Sequence, residues 1–231
     1  MRRRSDGVVS ADVVVSRTIK RADAHDPGRV IELLEPLVLP SRRARLESVI
    51  AERLGSVTVI LDAPHDPHNG AAIVRSCEAF GVATLYVVES REAFLVAASV
   101  ARSAEKWVDV RCTRSADAAI KAAKDAGMTL VAARADGELL PQDLASMPRV
   151  AIVLGNERDG ISDPLVAACE RSVRVPMRGF VESLNVSVTA AILLAAATAN
   201  RPGDLDGESR RRLYARGLYF TVPRAEEILR G

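Results

Sequence analysis

The chain has 231 residues, of which 48% are hydrophobic and 27% charged, a composition typical of a globular protein that excludes a largely disordered one. Its 32 basic and 30 acidic residues give a net charge of +2 at pH 7, which by itself identifies no nucleic-acid partner. No run of about 18 uncharged apolar residues occurs, which excludes a membrane-spanning helix, and no apolar segment follows the basic residues at the start, so we expect no secretory signal.

The first 53 residues divide into two parts. Residues 1–26 are polar and charged, which predicts a poorly ordered or loosely docked arm. Apolar residues recur at helical spacing over residues 29–54. Because Pro36 and Pro40 interrupt this pattern, we expect two helices rather than one.

Residues 57–200 alternate between short apolar runs and helical stretches. This alternation predicts an α/β fold with a mostly parallel sheet, and the nearly continuous apolar runs predict helices on both faces. After Pro202 and Gly203, the charged tail predicts two short helices. The predicted strands are 57–61, 84–88, 108–112, 129–133, 150–154 and 172–175, and the predicted helices are 71–80, 92–101, 116–126, 163–169, 186–199, 208–216 and 224–230.

The charge is distributed unevenly along the chain. Residues 1–53 carry a net charge of +3, the middle −3 and residues 201–231 +2. All but four of the basic residues are Arg, which binds phosphate better than Lys does, although a GC-rich genome also favours Arg. We divide the chain into a basic N-terminal region at 1–53, a central domain at 54–200 and a basic C-terminal helical extension at 201–231.

The cysteines Cys77, Cys112 and Cys169 are too few and too widely spaced for a disulfide framework or a zinc site. Each lies in an apolar or helical context, which predicts buried, reduced thiols. Reduced thiols favour the cytoplasm as the compartment.

Strand-to-helix turns are where α/β proteins bind their ligands, and the first notable turn is DAPHDPHNGAAIVR at 62–75. Asn69 is a good helix N-cap residue, with Gly70 as the first helical residue and Arg75 six residues after Asn69. His65 and His68 alternate with acidic residues in this loop. An H-x-x-H in a proline-rich loop lacks the fixed helical geometry of a zinc site, so we expect no metal.

Two further turns carry polar residues. The first is VLGNERDG at 153–160, where Gly155 permits close backbone approach and Glu157 places a carboxylate at the end of a strand. The second is VPMRGFVESLNVS at 175–187, in which Ser183 and Asn185 suit either N-capping of the next helix or contact with a ligand. None of the three turns contains a glycine-rich dinucleotide or phosphate motif, so a nicotinamide enzyme is disfavoured.

In this order and spacing, the three turns resemble the signature motifs of the SpoU/TrmH branch of the SPOUT RNA methyltransferases. The matching residues are Asn69 with Arg75, the sequence LGNE at 154–157 with Gly160, and SLNVS at 183–187. The resemblance covers residues 57–200. SAEKW at 103–107 and the basic flanking helices are similar to the tRNA guanosine 2′-O-methyltransferases specifically, whose target is guanosine 18 of the D-loop.

The resemblance implies a trefoil knot formed by residues 150–200, a homodimer with helix 186–199 as an interface element, tRNA as the partner and no membrane association. It also implies that S-adenosyl-L-methionine binds in the knot. By position, the cofactor contacts would come from Ala133, Leu154, Gly155, Val175, Met177 and Leu184.

The resemblance further implies the catalytic residues, which are Arg75, Asn69, Glu157, Ser183 and Asn185. The family assigns Arg75 the role of base. Because a guanidinium stays protonated below about pH 12, we expect Arg75 instead to bind an RNA phosphate and the ribose 2′-hydroxyl and to orient the nucleophile. Asn69 would hold Arg75 or the ribose, and the other three would order the loops and the substrate.

Two alternatives remain open. The same chemistry could act on ribosomal RNA, although the short helical front of the chain favours tRNA. A non-catalytic RNA-binding protein with a degenerate site is the other alternative, and the presence of all five motif residues argues against it.

Overall fold

The computed structural model describes residue 19, residues 21–89, residue 94 and residues 103–231. Most of the predicted arm at 1–26 lies outside these residues, as does the helix predicted at 92–101 except for Phe94. The helices below are numbered within the described part of the chain. Within that part, no helix combines the length and apolar character that crossing a membrane requires.

Residues 27–51 form two α-helices, as the proline pattern predicts. Helix α1 spans Pro27–Leu34, and its first turn is capped by Asp26, whose side chain accepts a hydrogen bond from the backbone N–H of Arg29 at 2.9 Å. A short 3-10 helix at Glu35–Leu37 leads to α2 at Pro40–Ala51. Proline is the first residue of both α-helices, where its missing N–H leaves no hydrogen bond unmade.

The six predicted strands form one sheet in which every pairing between strands is parallel. Their order across the sheet is β3-β2-β1-β5-β4-β6. The predicted α/β fold with a parallel sheet is therefore confirmed. The strands are β1 (Leu54–Asp62), β2 (Val82–Val88), β3 (Asp109–Thr113), β4 (Thr129–Ala133), β5 (Val150–Leu154) and β6 (Arg171–Val173).

Helices cover both faces of the sheet, as the apolar strands predict. Alternate residues of β1 point to opposite faces, so Val59 packs in the core beneath α3 and α6, whereas Ile60 packs in the core beneath α4 and α5. The central helices are α3 (Pro67–Ala79), α4 (Ala116–Asp125), α5 (Asp163–Ala168) and α6 (Val186–Thr198), with 3-10 helices at Ala104–Lys106 and Pro141–Ser146.

Helices of the N-terminal region pack against those of the C-terminal extension in a separate helical layer. Helices α7 (Gly207–Thr221) and α8 (Ala225–Arg230) share an apolar cluster with α1 and α2. Arg216 of α7 donates two hydrogen bonds to the carboxylate of Asp23. Helix α7 runs five residues beyond its predicted end through Gly217, where an added Cβ would lie 2.9 Å from the Leu46 side chain.

One of the basic residues of the N-terminal region, Arg53, is buried and stabilises the fold. Arg53 is 2% exposed and donates hydrogen bonds to the carbonyl oxygens of Glu78, Val82 and Trp107. Its burial lowers the pKa of the guanidinium. Arg53 thus fastens the helical layer to the sheet, and the net charge of residues 1–53 overstates what a partner could contact.

The segment after β4 lies directly across β6. The backbone N–H of Leu139 donates to Ser172 and that of Arg174 donates to Leu139, at 2.9 and 3.0 Å. A Cβ on Gly137 would lie 2.3 Å from the carbonyl carbon of Val173. Only glycine permits this crossing, because any side chain would collide with backbone.

The cysteines are less uniformly buried than predicted. Cys77 is buried in α3, and burial raises the pKa of its thiol to about 12. Cys169 is half-buried, and Cys112 is exposed. The expectation of burial was wrong for Cys112 because β3 is an edge strand of the sheet.

Candidate active site

A cavity of about 800 Å³ lies at the carboxyl ends of β4, β5 and β6, beside the N-terminus of α6. Its position is the one where open parallel sheets bind ligands. Of the predicted catalytic residues, Glu157, Ser183 and Asn185 line it. All six residues predicted to contact the cofactor also line it, namely Ala133, Leu154, Gly155, Val175, Met177 and Leu184.

Gly155 directly follows β5 and brings the following loop against the strand. A Cβ at Gly155 would lie 2.1 Å from the carbonyl carbon of Gly160 and 2.5 Å from the amide nitrogen of Ile161. The glycine is required by this close approach of two backbone segments, which forms one wall of the cavity.

Asn156 shapes the loop that carries Glu157. Its side chain is 8% exposed, and its Oδ1 accepts hydrogen bonds from the backbone N–H groups of Arg158 and Asp159 at 2.9 and 2.8 Å. Its backbone exchanges two hydrogen bonds with Gly160. The loop is therefore folded upon itself, with the Glu157 carboxylate directed outward toward α3.

Asp62 anchors the same loop from the end of β1. Its carboxylate is 3% exposed, and Oδ2 accepts a hydrogen bond from the backbone N–H of Ser162 at 2.7 Å. The sequence analysis weighed the acidic residues of this turn, Asp62 and Asp66, only as partners of the two histidines at a metal site, and it missed this role of Asp62. The available signal was an acidic residue directly after a buried strand, since a carboxylate there must find a partner.

The first motif enters its helix earlier than predicted. Helix α3 begins at Pro67, and Asp66 caps it by accepting a hydrogen bond from the backbone N–H of His68 at 2.8 Å. The prediction that Asn69 is the N-cap was therefore wrong. The sequence Asp-Pro is itself a start signal, because Asp suits the N-cap and Pro the first helical position.

Asn69 is consequently free to bind other side chains. It lies in the first turn of α3, where its Nδ2 donates a hydrogen bond to Oε1 of Glu157. Its Oδ1 accepts a hydrogen bond from Nδ2 of Asn185 at 3.0 Å. One amide therefore connects the second and third motifs.

Asn185 also caps α6. Its Oδ1 accepts hydrogen bonds from the backbone N–H and the hydroxyl of Ser187, at 2.8 and 2.6 Å. Ser183 lies exposed at the cavity and caps no helix. Of the two capping candidates, Asn185 fills that role, and it contacts another motif as well.

Arg75 does not join these residues. It is exposed on α3, outside the cavity lining, and no ion pair or hydrogen bond reaches its guanidinium from the described residues. Six residues of helix place it about 9 Å along the axis and about 120° around it from Asn69. The structure thus brings together four of the five predicted catalytic residues.

The charged residues that line the cavity are mainly acidic. Asp136, Glu157, Asp159 and Glu182 line it, and Arg134 is the basic side chain among the lining residues. Arg134 binds Asp136 at 2.9 Å, and its hydrogen bond lowers the pKa of that carboxyl. This border favours a ligand with positive charge.

The histidines of the first turn lie beside this border. His65 Nε2 is 3.7 Å from Oδ2 of Asp159. Among the described residues, no group of three or more His, Cys, Asp or Glu side chains is arranged to hold a metal ion.

Comparison with known proteins identifies relatives over most of the chain. The model of the SpoU rRNA Methylase family matches residues 56–195. A tRNA (guanosine(18)-2'-O)-methyltransferase of Thermus thermophilus is 33% identical over 163 residues, which are 70% of this chain and 84% of the relative.

Two solved structures are similar to the fold. The A. aeolicus TrmH/SpoU tRNA modifying enzyme superposes with a TM-score of 0.70 at 27% identity, covering 80% of this chain and 98% of that one. The methyltransferase AviRb of Streptomyces viridochromogenes, in complex with the cofactor AdoMet, superposes with a TM-score of 0.57 at 25% identity, covering 67% and 64% of the two chains.

Proposed function

The chain belongs to the SpoU rRNA Methylase family, and from this membership we propose that it transfers a methyl group from S-adenosyl-L-methionine to a ribose 2′-hydroxyl of tRNA. The observation that carries the proposal is the contact of Asn69 with both Glu157 and Asn185 at the edge of the cavity. Three motifs far apart in the chain thereby form one polar group beside a ligand site.

The cavity fits the cofactor. Its volume of about 800 Å³ lies within the range of small-molecule sites. Its inner wall is apolar or backbone at Leu154, Gly155 and Val175, which suits the adenosine part, and its acidic border suits a sulfonium and an ammonium group. We propose the six predicted residues as the cofactor contacts.

The bound cofactor supplies an electrophilic methyl group. The chain must then place a hydroxyl in line with that methyl group, a task chiefly of positioning, while the hydroxyl proton would leave to solvent by way of the RNA phosphate that Arg75 binds. Asn69 and Asn185, each fixed by a further hydrogen bond, present polar groups toward the substrate. Glu157 and Ser183 order the substrate at the mouth of the cavity.

Arg75 binds the RNA phosphate and orients the hydroxyl in this proposal. Its guanidinium lies outside the cavity of its own chain, so the proposal includes a homodimer in which a second copy completes the site. Helix α6 is the proposed interface element, since Val188 is 47% exposed and its neighbours are small.

We also propose that residues 150–200 form a trefoil knot, supported by the crossing of residues 134–139 over β6.

We propose tRNA as the substrate, with guanosine 18 as the modified nucleoside. The support is the relative of that name, which this chain matches over 84% of the relative's length. The helical layer would bind the tRNA backbone through exposed guanidinium groups on α2 and α7, for example Arg42, Arg45 and Arg211. The cytoplasmic location predicted from the thiols is part of this proposal.

The test is methyl transfer from labelled S-adenosyl-L-methionine to unfractionated tRNA and, separately, to ribosomal RNA. We expect label in tRNA, with the 2′-O-methylated nucleotide mapping to guanosine 18. A tRNA transcript with 2′-deoxyguanosine at that position is the matched control and should accept no label. Label in ribosomal RNA alone would show that ribosomal RNA, not tRNA, is the substrate. Failure to bind S-adenosyl-L-methionine would contradict the proposal that the chain is a methyltransferase.

A further inference from the structure

Phe180 differs from every other aromatic residue of this chain. The chain has eight aromatic residues, and all lie in the described part. Phe180 is fully exposed, with a relative accessibility of 108%. The other seven are buried or half-buried, namely Tyr86, Phe94, Phe80, Trp107, Tyr214, Tyr219 and Phe220.

Phe180 lies on a loop that contributes to the candidate active site. Met177, Glu182 and Ser183 of the same loop line the cavity. A Cβ on the preceding Gly179 would meet no heavy atom within 4 Å. Phe180 is therefore presented on an open loop within a few residues of the cofactor wall, where it contributes nothing to the core.

A cation accompanies the exposed ring. Arg178 is exposed, and no ion pair to it is formed within the described ranges. An exposed guanidinium and an exposed aromatic ring two positions apart on one loop are a combination that suits single-stranded nucleic acid, since the cation binds phosphate and the ring stacks on a base.

We propose that Phe180 stacks on a nucleobase of the RNA substrate at or beside the nucleotide that is methylated, with Arg178 on a neighbouring phosphate. This inference rests on the proposed function. A ribose can reach the cavity only if its nucleotide leaves its own stack, and an aromatic ring replaces the stacking that the base loses. Stacking tolerates any base, so Phe180 contributes to affinity rather than to sequence choice.

Two substitutions separate stacking from simple apolar contact. Phe180→Tyr keeps the aromatic face, whereas Phe180→Leu keeps apolar area without it. We expect Phe180→Leu to raise the KM for tRNA about 5- to 100-fold and Phe180→Tyr to remain within about twofold of the parent. Both should fold normally, because the side chain is fully exposed.

Three measurements decide the matter. S-adenosyl-L-methionine affinity by calorimetry and oligomeric state by sedimentation should be unchanged in both variants. An unchanged KM in Phe180→Leu would overturn the proposal. A changed oligomeric state would also overturn it, because the ring would then pack against a second copy.

A fluorescence measurement keeps this inference distinct from the proposed function. Trp107 is the only tryptophan of the chain, so the double variant Trp107→Phe, Phe180→Trp carries a single reporter. Its emission should be quenched by tRNA, whether or not methyl transfer occurs. Binding of tRNA without quenching would exclude stacking. Quenching without methyl transfer would contradict the proposed methyltransferase activity and leave the stacking proposal intact.

Discussion

The side chain of Asn185 donates a hydrogen bond from Nδ2 to Oδ1 of Asn69 at 3.0 Å, across 116 positions of the chain. The same side chain caps α6 through Oδ1. Because both atoms of the amide are engaged, the orientation of Asn185 is fixed. Asn69 is fixed in the same way between Asn185 and Glu157, so a preformed polar group stands at the cavity.

Asn185→Asp separates the two roles of this side chain. The carboxylate retains the capping oxygen but loses the donor to Asn69. The lost hydrogen bond is exposed to solvent and joins two neutral amides, so its loss should change the melting temperature little. Because the new carboxylate turns an acceptor toward Oδ1 of Asn69 and misplaces that side chain, we expect methyl transfer to fall about 10- to 100-fold. Initial rates and thermal unfolding measure the two effects.

Asn185→Ala is the matched control, since it removes both roles. It should lose activity similarly and also lose about 1 kcal/mol of stability through the missing cap. Full activity in Asn185→Asp would show that the contact with Asn69 has no part in catalysis.

The sequence predicted the strands and their parallel arrangement because the central strands are rich in apolar residues, as in Val150–Leu154, whereas the edge strands β3 and β6 are more polar. The six residues expected to contact the cofactor came from the resemblance, and they line the cavity at the edge of the sheet where the ends of the parallel strands meet. The resemblance supplied the five motif residues and the cofactor.

Other features depended on contacts that a linear sequence does not display. The side-chain partners of Asn69 follow from the start of α3 at Pro67, three residues before Gly70, which was predicted as the first helical residue. A sequence pattern assigns Arg53 to the charged surface, whereas the structure buries it against three carbonyl groups. The exposure of Phe180 was equally hidden, because an aromatic residue in a loop is usually packed.

Gly155→Ala should disrupt the wall of the cavity. Its Cβ would lie 2.1 Å from the Gly160 backbone, which cannot yield as a flexible side chain does. We expect a loss of stability of about 1–3 kcal/mol and affinity for S-adenosyl-L-methionine at least tenfold weaker by calorimetry. Gly207→Ala, where no atom lies within 4 Å of the added Cβ, should leave both unchanged. Equal affinities in the two variants would contradict this.

Asp62 should act through the loop it anchors. Asp62→Ala leaves the Ser162 N–H without its acceptor, at a cost of about 1–3 kcal/mol, and should raise the dissociation constant for S-adenosyl-L-methionine about tenfold. Asp62→Asn retains an acceptor oxygen and should recover most of the affinity. Calorimetric titration distinguishes them, and equal weakening by both would indicate that the negative charge, not the hydrogen bond, is what matters.

Arg75 should matter for catalysis and not for folding. Its side chain is exposed, so Arg75→Ala and Arg75→Lys should melt like the parent. Because Lys cannot bind a phosphate and a hydroxyl with a rigid fork, we expect both to reduce methyl transfer at least 100-fold, the range of positioning effects. Lys121→Ala on α4, on the other face of the sheet, is the control. An Arg75→Lys protein with full activity would refute the assignment.

The helical layer should loosen in acid through Glu226. Hydrogen bonds from His25 at 3.1 Å and Tyr219 at 2.8 Å, and then one from Arg230, lower the pKa of this carboxyl to about 2. A depressed pKa in the folded state stabilises it above the ordinary pKa of about 4.5, and that stabilisation is lost as the pH falls from there toward about 2. The melting temperature of the parent should therefore fall over this interval more than that of Glu226→Gln, which lacks the titrating group. Glu227→Gln is the control, because it leaves the His25 contact intact and its melting temperature should follow that of the parent. If the melting temperature of Glu226→Gln fell in parallel with the parent, the acid sensitivity would belong to other carboxylates.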